Sequence, residues 1–458
     1  MLRSYFSVYC NDCFRLNAVA LKLQHRSFHA PAAPLVVPKI PEHVTAENQY
    51  ECLAEVVTPL WRIPYEQQLE LKFQWTKHVV SLIKSKLKPH SHKHNHLKMC
   101  RVNNVLPSPV TQEYRNKDEF NVRCGVDGNP KTVGFFVGKT AKHEYVCVPP
   151  TYIINMKQKH KDVATAYQQY IRESKYPACH DFRDGGHWRT LLVRSTAAGE
   201  TMAVVLFHPQ QLHEEELQEE AQNLKEFFTQ GPGSHCSLTS LYFQACSNTR
   251  CTNDQAPFQL LYGEPYLMEH LCGYKFRISP DSFFQVNVAA AEVLYNALFN
   301  VAGLDQRTTV LDICCGTGTI SILAAKRVRG TVGIEEIRDA VVDARHNALV
   351  NEVFNAEFFF GRAEKRLRKV LEDLCLASSI VAVLNPGRRG VGPKVVDVLN
   401  NCPQIKRVVY VSCKADNPNT LSNFVQLQES GKFQLHQIIP VDMFPHTFHT
   451  ELILLFER

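Results

Sequence analysis

The stretch Val310–Ile322, with the sequence VLDICCGTGTISI, constrains the fold of this chain more than any other. It runs from an apolar strand through an acidic residue and a glycine loop into the start of a helix, which is the order of a parallel βαβ unit. Gly316 and Gly318 let the backbone turn sharply and approach a ligand without an intervening side chain. Asp312 places a carboxylate at the end of the strand. The stretch therefore predicts a ligand site at the carboxyl edge of a parallel sheet.

The following strand indicates the kind of ligand. About twenty residues further on it ends in VGIEE, where Glu335 is placed to accept hydrogen bonds from the hydroxyls of an adenosine ribose. A dinucleotide site uses the same topology, but its GxGxxG spacing is absent, and Asp-x-x-Cys-Gly-x-Gly is the form of this loop in methyltransferases. The position of Glu335 also disfavours a glycine turn that binds nothing. We predict S-adenosylmethionine as the cofactor and no metal.

The remaining patterns predict an α/β chain with a C-terminal doubly wound, Rossmann-like domain and a central antiparallel β (α+β) domain. From Phe276 onward, helices are predicted at Val288–Val301, Thr319–Val328 and Ala340–Asn351, and strands at Thr309–Ile313, Gly330–Ile334, Glu357–Phe360, Ile380–Leu384, Arg407–Val411 and Leu452–Phe456. Before it, strands are predicted at Phe120–Cys124, Val133–Val137, Tyr145–Val148, Arg189–Val193 and Thr201–Phe207, and helices at Asn155–Tyr170 and Glu214–Phe228.

The chain of 458 residues is long enough for two or three domains, and its 45% hydrophobic and 21% charged residues are ordinary for a globular protein. We predict a transit peptide with its linker at 1–41 and an N-terminal helical and basic segment at 42–101. The central β-rich domain then covers 102–260, and the methyltransferase domain covers 261–458. Within the N-terminal segment, apolar spacing predicts a helix over Tyr65–Leu87.

The first 41 residues carry basic side chains against the single acid Asp12, with apolar and aromatic residues scattered among them. This composition is typical of an organelle transit peptide and predicts the mitochondrial matrix, with an ordinary disordered basic tail as the alternative. The basic residues are Arg3, Arg15, Lys22, Arg26 and Lys39.

Charge and cysteine usage exclude some classes of protein. The net charge of +6 is compatible with RNA but does not demonstrate RNA binding, and no apolar run is long enough for a membrane helix. The 16 cysteines favour a reducing compartment over a disulfide scaffold, and the CxxC of Cys10 and Cys13 has no second pair at metal-site spacing. The alternating histidines from His90 to His96 lack carboxylate or cysteine partners. They favour a solvated basic loop over a metal site.

Two short motifs near the C-terminus contain reactive side chains. Cys413 follows the apolar strand Val408–Val411, at the sheet edge that faces the ligand crevice, where a stabilised thiolate attacks an electron-poor carbon. Glu451 precedes the closing apolar strand, where a carboxylate can act as a base. Taken alone, a cysteine after such a strand is more often a core residue, and the carboxylate is as often part of a solvated loop.

A cysteine, a carboxylate and S-adenosylmethionine are together the minimum parts for methylating carbon 5 of uracil. That carbon is too weak a nucleophile until a thiolate adds to carbon 6, and a base must then remove the proton from carbon 5. The target base must also leave its stack to enter the pocket. The three parts predict an RNA uridine C5-methyltransferase.

The same residues resemble the RNA (uracil-5-)-methyltransferases, in that family's order along the chain. The motifs are YVSC at Tyr410–Cys413, HTFHTE at His446–Glu451, SFFQVN at Ser282–Asn287, the loop Cys315–Gly318, YRNK at Tyr114–Lys117, HWRTLLVR at His187–Arg194 and TPLWRIPYEQQLELK at Thr58–Lys72. The resemblance implies that Cys413 is the nucleophile, that Glu451 is the proton acceptor, and that Gln285 and Glu335 contact the cofactor. It also implies tRNA as the partner, through its T-loop uridine and an RNA-facing central domain, with rRNA as an open alternative.

The chain departs from the family at three points. Asn385 stands in place of the aspartate of an Asp-Pro-Pro-Arg motif and is expected to contact the cofactor or base without a negative charge. Cys314 replaces a common tyrosine, and the cysteine cluster that binds iron–sulfur in many bacterial members is missing, so we predict no cluster. An amine methyltransferase and a non-catalytic RNA-binding or assembly protein remain alternatives, although neither requires Cys413 or Glu451. No obligate protein partner is evident, and the oligomeric state is not predicted.

Overall fold

The computed structural model describes residues 43–87, 100–138, 145–179, 185–375, 377 and 379–458. The predicted transit peptide and the stretch from His90 to His96 lie outside these residues. The helices are α1 (Gln49–Val57), α2 (Tyr65–Lys86), α3 (Gln158–Glu173), α4 (Glu214–Thr229), α5 (Val288–Ala302), α6 (Thr319–Ala324), α7 (Arg338–Val350), α8 (Ala363–Asp373), α9 (Pro393–Asn401) and α10 (Pro418–Glu429). The strands are β1 (Arg101–Val102), β2 (Lys117–Arg123), β3 (Thr132–Val137), β4 (Val146–Val148), β5 (Trp188–Ser195), β6 (Thr201–Phe207), β7 (Ser240–Ala245), β8 (Gln259–Gly263), β9 (Leu267–Leu271), β10 (Tyr274–Ile278), β11 (Thr308–Ile313), β12 (Gly330–Glu335), β13 (Ala356–Phe360), β14 (Ser379–Leu384), β15 (Ile405–Ser412), β16 (Gln434–Val441) and β17 (Glu451–Glu457).

The chain forms two compact units. Unit 1 holds the described residues up to Pro64, with Gln112–Leu267 and His446–Phe448. Unit 2 holds Tyr65–Thr111, Met268–Pro445 and His449–Arg458. The sequence analysis placed the start of the C-terminal domain at residue 261, whereas the units change at 267/268. The segment 42–101, treated there as one piece, is shared between the units because the apolar face of α2 is buried in the core of unit 2.

Unit 2 is built on an eight-stranded sheet in the order β1-β16-β17-β15-β14-β11-β12-β13. The five strands from β15 to β13 are parallel to their neighbours, and β17 enters antiparallel between β15 and β16. Successive side chains of β11 point to opposite faces, so Val310 enters one apolar core while Leu311 and Ile313 enter the other. The prediction of a doubly wound, Rossmann-like sheet is confirmed.

Unit 1 is built on a seven-stranded sheet in the order β4-β3-β2-β5-β6-β7-β8. The strands are antiparallel as predicted, except that β6 and β7 are parallel. This pair differs because α4 connects the two strands, and a parallel pair needs such a crossover. The predicted helices at Asn155–Tyr170 and Glu214–Phe228 are confirmed as α3 and α4, the first displaced by three residues.

The described cysteines are mostly free thiols, but Cys246 and Cys251 form a disulfide. The sequence analysis did not anticipate this bond, because it spans only a short loop after β7 and gives no framework pattern. Over the same described residues, no helix is long and apolar enough to cross a membrane. The predicted helix Thr319–Val328 is shorter than expected, since α6 ends at Ala324 and a 3-10 turn follows.

Candidate active site

The carboxyl ends of four neighbouring strands in unit 2 meet at one edge of the sheet. Parallel pairing aligns Ile313 of β11 with Leu384 of β14, which in turn aligns with Tyr410 of β15. The residues that follow these strands therefore share one edge, including Asn385 after β14 and Cys413 after β15. The order of the strands therefore brings together Asn385 and Cys413, which were predicted separately from the sequence.

The glycine loop after β11 adopts a left-handed backbone at both predicted glycines. Gly316 has a φ of +54° and Gly318 has a φ of +82°, which L side chains rarely adopt. A Cβ atom at Gly318 would lie 2.9 Å from the ring of Phe358 and 3.0 Å from Ala344. At Gly316 nothing lies within 4 Å of such an atom. Gly318 is thus required for packing, whereas Gly316 borders open space that a ligand can enter.

The Glu335 carboxylate is hydrogen-bonded to the backbone of this loop. Its Oε2 accepts a hydrogen bond from the Gly316 amide at 3.0 Å, and its Oε1 accepts one from the Ile337 amide at 3.0 Å. Each carboxylate oxygen has a further lone pair, so ribose hydroxyls can bind without displacing the loop. The carboxylate therefore holds the loop at the place where the sequence predicted a ribose contact.

Asp312 lies fully buried beneath the same loop. Its Oδ2 accepts hydrogen bonds from the Ser321 amide at 3.1 Å and the Ser321 hydroxyl at 2.8 Å, whereas its Oδ1 has no partner among the described residues. Burial raises the pKa of the Asp312 carboxyl to about 7, against the hydrogen bonds from Ser321 that lower it. An unsatisfied buried acceptor is costly, so a donor from a bound group would stabilise it. The loop, Glu335 and Asp312 together fit a cofactor that carries hydroxyl and ammonium donors.

Gln285 is buried immediately before α5 and hydrogen-bonds to the hydroxyl of Tyr295. Burial raises the pKa of that tyrosine, and the negative charges of Asp312 and Glu451 act in the same direction. Tyr295 therefore lies close to a cofactor candidate and to the candidate base. Tyr295 was not predicted as a site residue, because a tyrosine on the apolar face of a helix has the pattern of a core residue.

Cys413 and Glu451 meet because β17 runs antiparallel to β15. The ladder ends where Ser412 of β15 is aligned with Leu452 of β17, and Cys413 and Glu451 are the residues next to this last pair. Their proximity is also seen in the charge of Glu451, which acts on Cys413. Glu451 is also the register partner of Val441 on the other side. The Glu451 side chain is buried and Cys413 is half-buried, so the thiol is the more accessible of the two.

Burial disfavours the charged form of both groups. Burial raises the pKa of the Glu451 carboxyl to about 8. Burial also raises the pKa of the Cys413 thiol to about 12, and the charge of Glu451 adds to this, whereas Arg388 and Lys414 lower it. Perturbed ionisable groups that share an edge with a ligand loop are typical of catalytic sites.

Arg388 is brought to the thiol by a loop that a buried hydrogen-bond network anchors. The Tyr410 hydroxyl donates to Asn423 Oδ1 at 3.0 Å, and the same oxygen accepts from the Val391 amide at 3.0 Å. Asn423 Nδ2 donates back to the Val391 carbonyl at 3.0 Å. A Cβ atom at Gly390 would lie 2.5 Å from Asn423 Oδ1, so the loop passes closely over this network. The effect of the Arg388 charge on Cys413 was not predicted from the sequence, because the two residues meet only in the folded chain.

The strand order, the glycine loop and the acid at the end of β12 define the Rossmann-like fold of the S-adenosylmethionine-dependent methyltransferases. Residues 187–458 match the family model described as tRNA (Uracil-5-)-methyltransferase. The chain belongs to the tRNA (uracil-5-)-methyltransferase family.

Relatives along most of the chain support this membership. The tRNA (uracil-5-)-methyltransferase homolog B of Mus musculus is 45% identical over 91% of this chain and 87% of its own length. The Homo sapiens homolog B is 44% identical over 89% of this chain and 84% of its own length. A solved structure, the Pyrococcus abyssi tRNA (uracil-54, C5)-methyltransferase in complex with S-adenosyl-L-homocysteine, is similar in fold with a TM-score of 0.61. It is 22% identical and covers 88% of this chain and 86% of that chain.

The predicted family and enzyme class are therefore confirmed. The individual roles of Cys413, Glu451, Gln285, Glu335 and Asn385 stay predictions. The structure brings all of them into unit 2, and the strand register accounts for the meeting of Cys413 with Glu451.

Proposed function

We propose that this chain transfers a methyl group from S-adenosylmethionine to carbon 5 of a uridine in tRNA, with Cys413 as nucleophile and Glu451 as proton acceptor. The observation that carries the proposal is the ladder position of the two residues. Cys413 follows the last paired residue of β15, Glu451 is the first residue of β17 beside it, and the charge of Glu451 acts on Cys413, at the carboxyl edge that also carries the glycine loop. A thiol and a carboxyl in one crevice with that loop supply the parts that C5 methylation requires.

Cys413 acts first, by adding its sulfur to carbon 6 of the flipped base. The thiol must first release its proton to solvent, and burial, which raises its pKa to about 12, disfavours this step. Arg388 and Lys414 lower this pKa, and the enolate that forms on the base is an anion that the same cations stabilise.

S-adenosylmethionine, when bound, would supply an electrophilic methyl group to carbon 5 of the enolate, and the electron pair of the broken sulfur–methyl bond would stay on sulfur in S-adenosylhomocysteine. Glu451, as the carboxylate, then takes the remaining proton of carbon 5. The electron pair of that C–H bond re-forms the double bond between carbons 5 and 6, and the Cys413 thiolate leaves. Burial makes Glu451 a stronger base than an exposed carboxylate, because its pKa is about 8.

The substrate is the T-loop uridine of a mitochondrial tRNA. The names of the relatives specify tRNA and uracil carbon 5, and the basic, acid-poor residues 1–41 support import into the mitochondrial matrix. RNA recognition of this kind depends on tertiary shape and on a splayed loop base.

The test is a map of 5-methyluridine in mitochondrial tRNA and rRNA from cells with and without the protein, complemented by wild type or by Cys413→Ser. We expect loss of the modification at one tRNA position without the protein, and rescue by wild type alone. A change confined to rRNA would reassign the substrate. Full rescue by the serine variant would reject Cys413 as the nucleophile. An unchanged map would favour an amine methyltransferase or, with intact RNA binding, a non-catalytic role.

The location is tested separately with a fluorescent fusion. We expect the full chain to enter mitochondria and a chain without residues 1–41 to remain outside. Equal distribution of the two fusions would remove the mitochondrial part of the proposal and leave the chemistry untouched.

A further inference from the structure

The helix α2 carries a buried lysine that the proposed chemistry does not use. Lys72, the last residue of the segment Thr58–Lys72, is only 1% exposed and pairs with Asp442, whose side chain is fully buried. Lys72 Nζ also donates to the Phe444 carbonyl at 3.0 Å. Two charges buried this completely need a structural or functional reason, because removing them from water is costly.

The pair organises the turn that follows β16. Asp442 Oδ1 accepts from Lys72 and from the Phe444 amide at 3.1 Å, so one carboxylate oxygen joins the helix to the turn. Asp442 Oδ2 is buried and has no hydrogen-bond partner among the described residues. The turn is thus fixed through a single charged contact from a helix 370 residues earlier in the chain.

Two further contacts hold the same turn within unit 2. The Asp442 amide donates to the Leu106 carbonyl at 2.9 Å, and Asn287 Nδ2 donates to the Met443 carbonyl at 3.3 Å. Asn287 is itself fixed because its Oδ1 caps α5 through the Ala290 amide at 3.1 Å. These contacts are between neutral groups and restrain the backbone of the turn, whereas Lys72 adds a charged contact to it.

The turn begins next to the candidate base. Val441 is the register partner of Glu451 across the β16–β17 ladder, and Asp442 is the residue that follows Val441. A shift of the turn would therefore move β16, the strand that pairs with Glu451. Proton transfer requires the base within hydrogen-bonding distance of the proton it removes, so such a shift lowers the rate of that step.

We propose that Lys72 is a positioning residue for the reaction: its ion pair with Asp442, and its hydrogen bond to Phe444, hold the β16–β17 connection so that Glu451 reaches the proton on carbon 5. The inference rests on the proposed function of Glu451. Lys72 touches neither substrate nor cofactor in this role, and it acts only through Asp442 and the ladder.

The experiment compares two reactions of Lys72→Met that differ in their need for the base. Turnover on uridine RNA requires proton removal, whereas the adduct with 5-fluorouridine RNA requires only the thiolate and the methyl group. A carboxylate cannot remove fluorine from carbon 5, so that adduct persists and can be counted on a denaturing gel. Lys77→Met is the matched control, because Lys77 lies exposed on the same helix and its side chain contacts the ring of Phe73.

We expect Lys72→Met to lower turnover about 10- to 100-fold while adduct formation with 5-fluorouridine RNA keeps its wild-type rate. Glu451→Gln should show the same split in a stronger form, and Lys77→Met should behave as wild type in both reactions. An equal decrease in both reactions would mean that Lys72 only supports folding and would overturn the proposal, as would unchanged turnover. Failure of the wild type to form the adduct would instead reject the proposed function.

If circular dichroism shows that Lys72→Met does not fold, Asp442→Asn serves in its place. The amide keeps an oxygen for the Phe444 amide and removes the charge that Lys72 needs, and burial already lowers the pKa of Lys72 towards its neutral form. The same split between turnover and adduct is expected, and equal decreases again contradict the proposal.

Discussion

The two halves of the carboxyl edge in unit 2 satisfy their polar groups in different ways. Around the glycine loop, Glu335 accepts two backbone hydrogen bonds and Asp312 accepts two from Ser321, all within one continuous stretch of chain. At the Cys413–Glu451 half, burial is the leading cause of both shifted pKa values, and the two residues come from separate strands. The half around the glycine loop, called here the cofactor half, is a set of fixed hydrogen bonds. In the half around Cys413 and Glu451, called the catalytic half, burial disfavours the charged forms of the ionisable groups.

This difference predicts whether a substitution in each half changes binding affinity or reaction rate. Fixed donors and acceptors contribute binding energy without rearrangement, so substitutions in the cofactor half should change affinity. Neutral buried groups contribute little to binding and become reactive only when a substrate changes their surroundings, so substitutions in the catalytic half should change rates.

The largest expected effect is that of Cys413→Ala. Without the nucleophile, methylation should fall about 10⁴-fold or more, while the affinity for S-adenosylhomocysteine stays unchanged because that site lies in the other half. Rates from radiolabelled methyl transfer and affinities from calorimetry measure the two quantities. A parallel loss of cofactor binding would mean that the halves are not separable.

Glu451→Gln comes next, with turnover lower by about 10²- to 10⁴-fold. Addition and methyl transfer do not need the carboxylate, so the protein should accumulate as a covalent complex with ordinary uridine RNA. A slow band on a denaturing gel, sensitive to Cys413→Ala, measures the complex. Its absence despite lost turnover would place Glu451 in an earlier step.

Glu335→Ala addresses the other half and should raise the KM for S-adenosylmethionine about 10- to 100-fold, because hydrogen bonds to a charged acceptor are lost and the loop is released. At saturating cofactor, kcat should stay near that of wild type. A loss of kcat with an unchanged KM would contradict the assignment of this half to binding.

The pH dependence should show the smallest effect. Since the pKa of Glu451 is raised to about 8, the carboxylate forms as pH rises, and kcat should increase about tenfold from pH 7 towards pH 9. The folded state keeps a proton that the unfolded chain has released above its ordinary value of 4.5, so stability should fall as pH rises through the window from about 4.5 to about 8. Urea unfolding at both ends of the window, with Glu451→Gln as the comparison, measures the second quantity. A Gln variant with the same pH dependence of stability would rule out Glu451 as its source.

Much of the fold was predictable because its signals are local. The periodicity of Val288–Val301 and the buried run Thr201–Phe207 agree with α5 and β6 to within a residue. The parallel pairing of β6 with β7 was missed, since strand direction depends on the crossover through α4. The disulfide between Cys246 and Cys251 was missed for a similar reason, because spacing alone does not show which thiols meet.

The residues of the candidate site show the same division between local signals and contacts made by distant parts of the chain. Gly316, Gly318 and Glu335 were selected from a short stretch whose chemistry is legible residue by residue. Tyr295, the charge of Arg388 near Cys413 and the anchor at Lys72 were not predicted, since each depends on a partner far away in the chain. Lys72 lies within a motif that the family resemblance included, yet only its burial against Asp442 suggests a role.

By itself the sequence determined the cofactor loop and the family, because each is encoded in contiguous residues with characteristic chemistry, and it predicted Cys413 and Glu451 as the two reactive residues. The tertiary structure decided that Cys413 lies near Glu451, that burial raises the pKa of both and that Lys72 of α2 pairs with Asp442, next to the register partner of Glu451. Register, burial and long-range charge are properties of the packed chain, since they arise only when distant segments exclude water from one another.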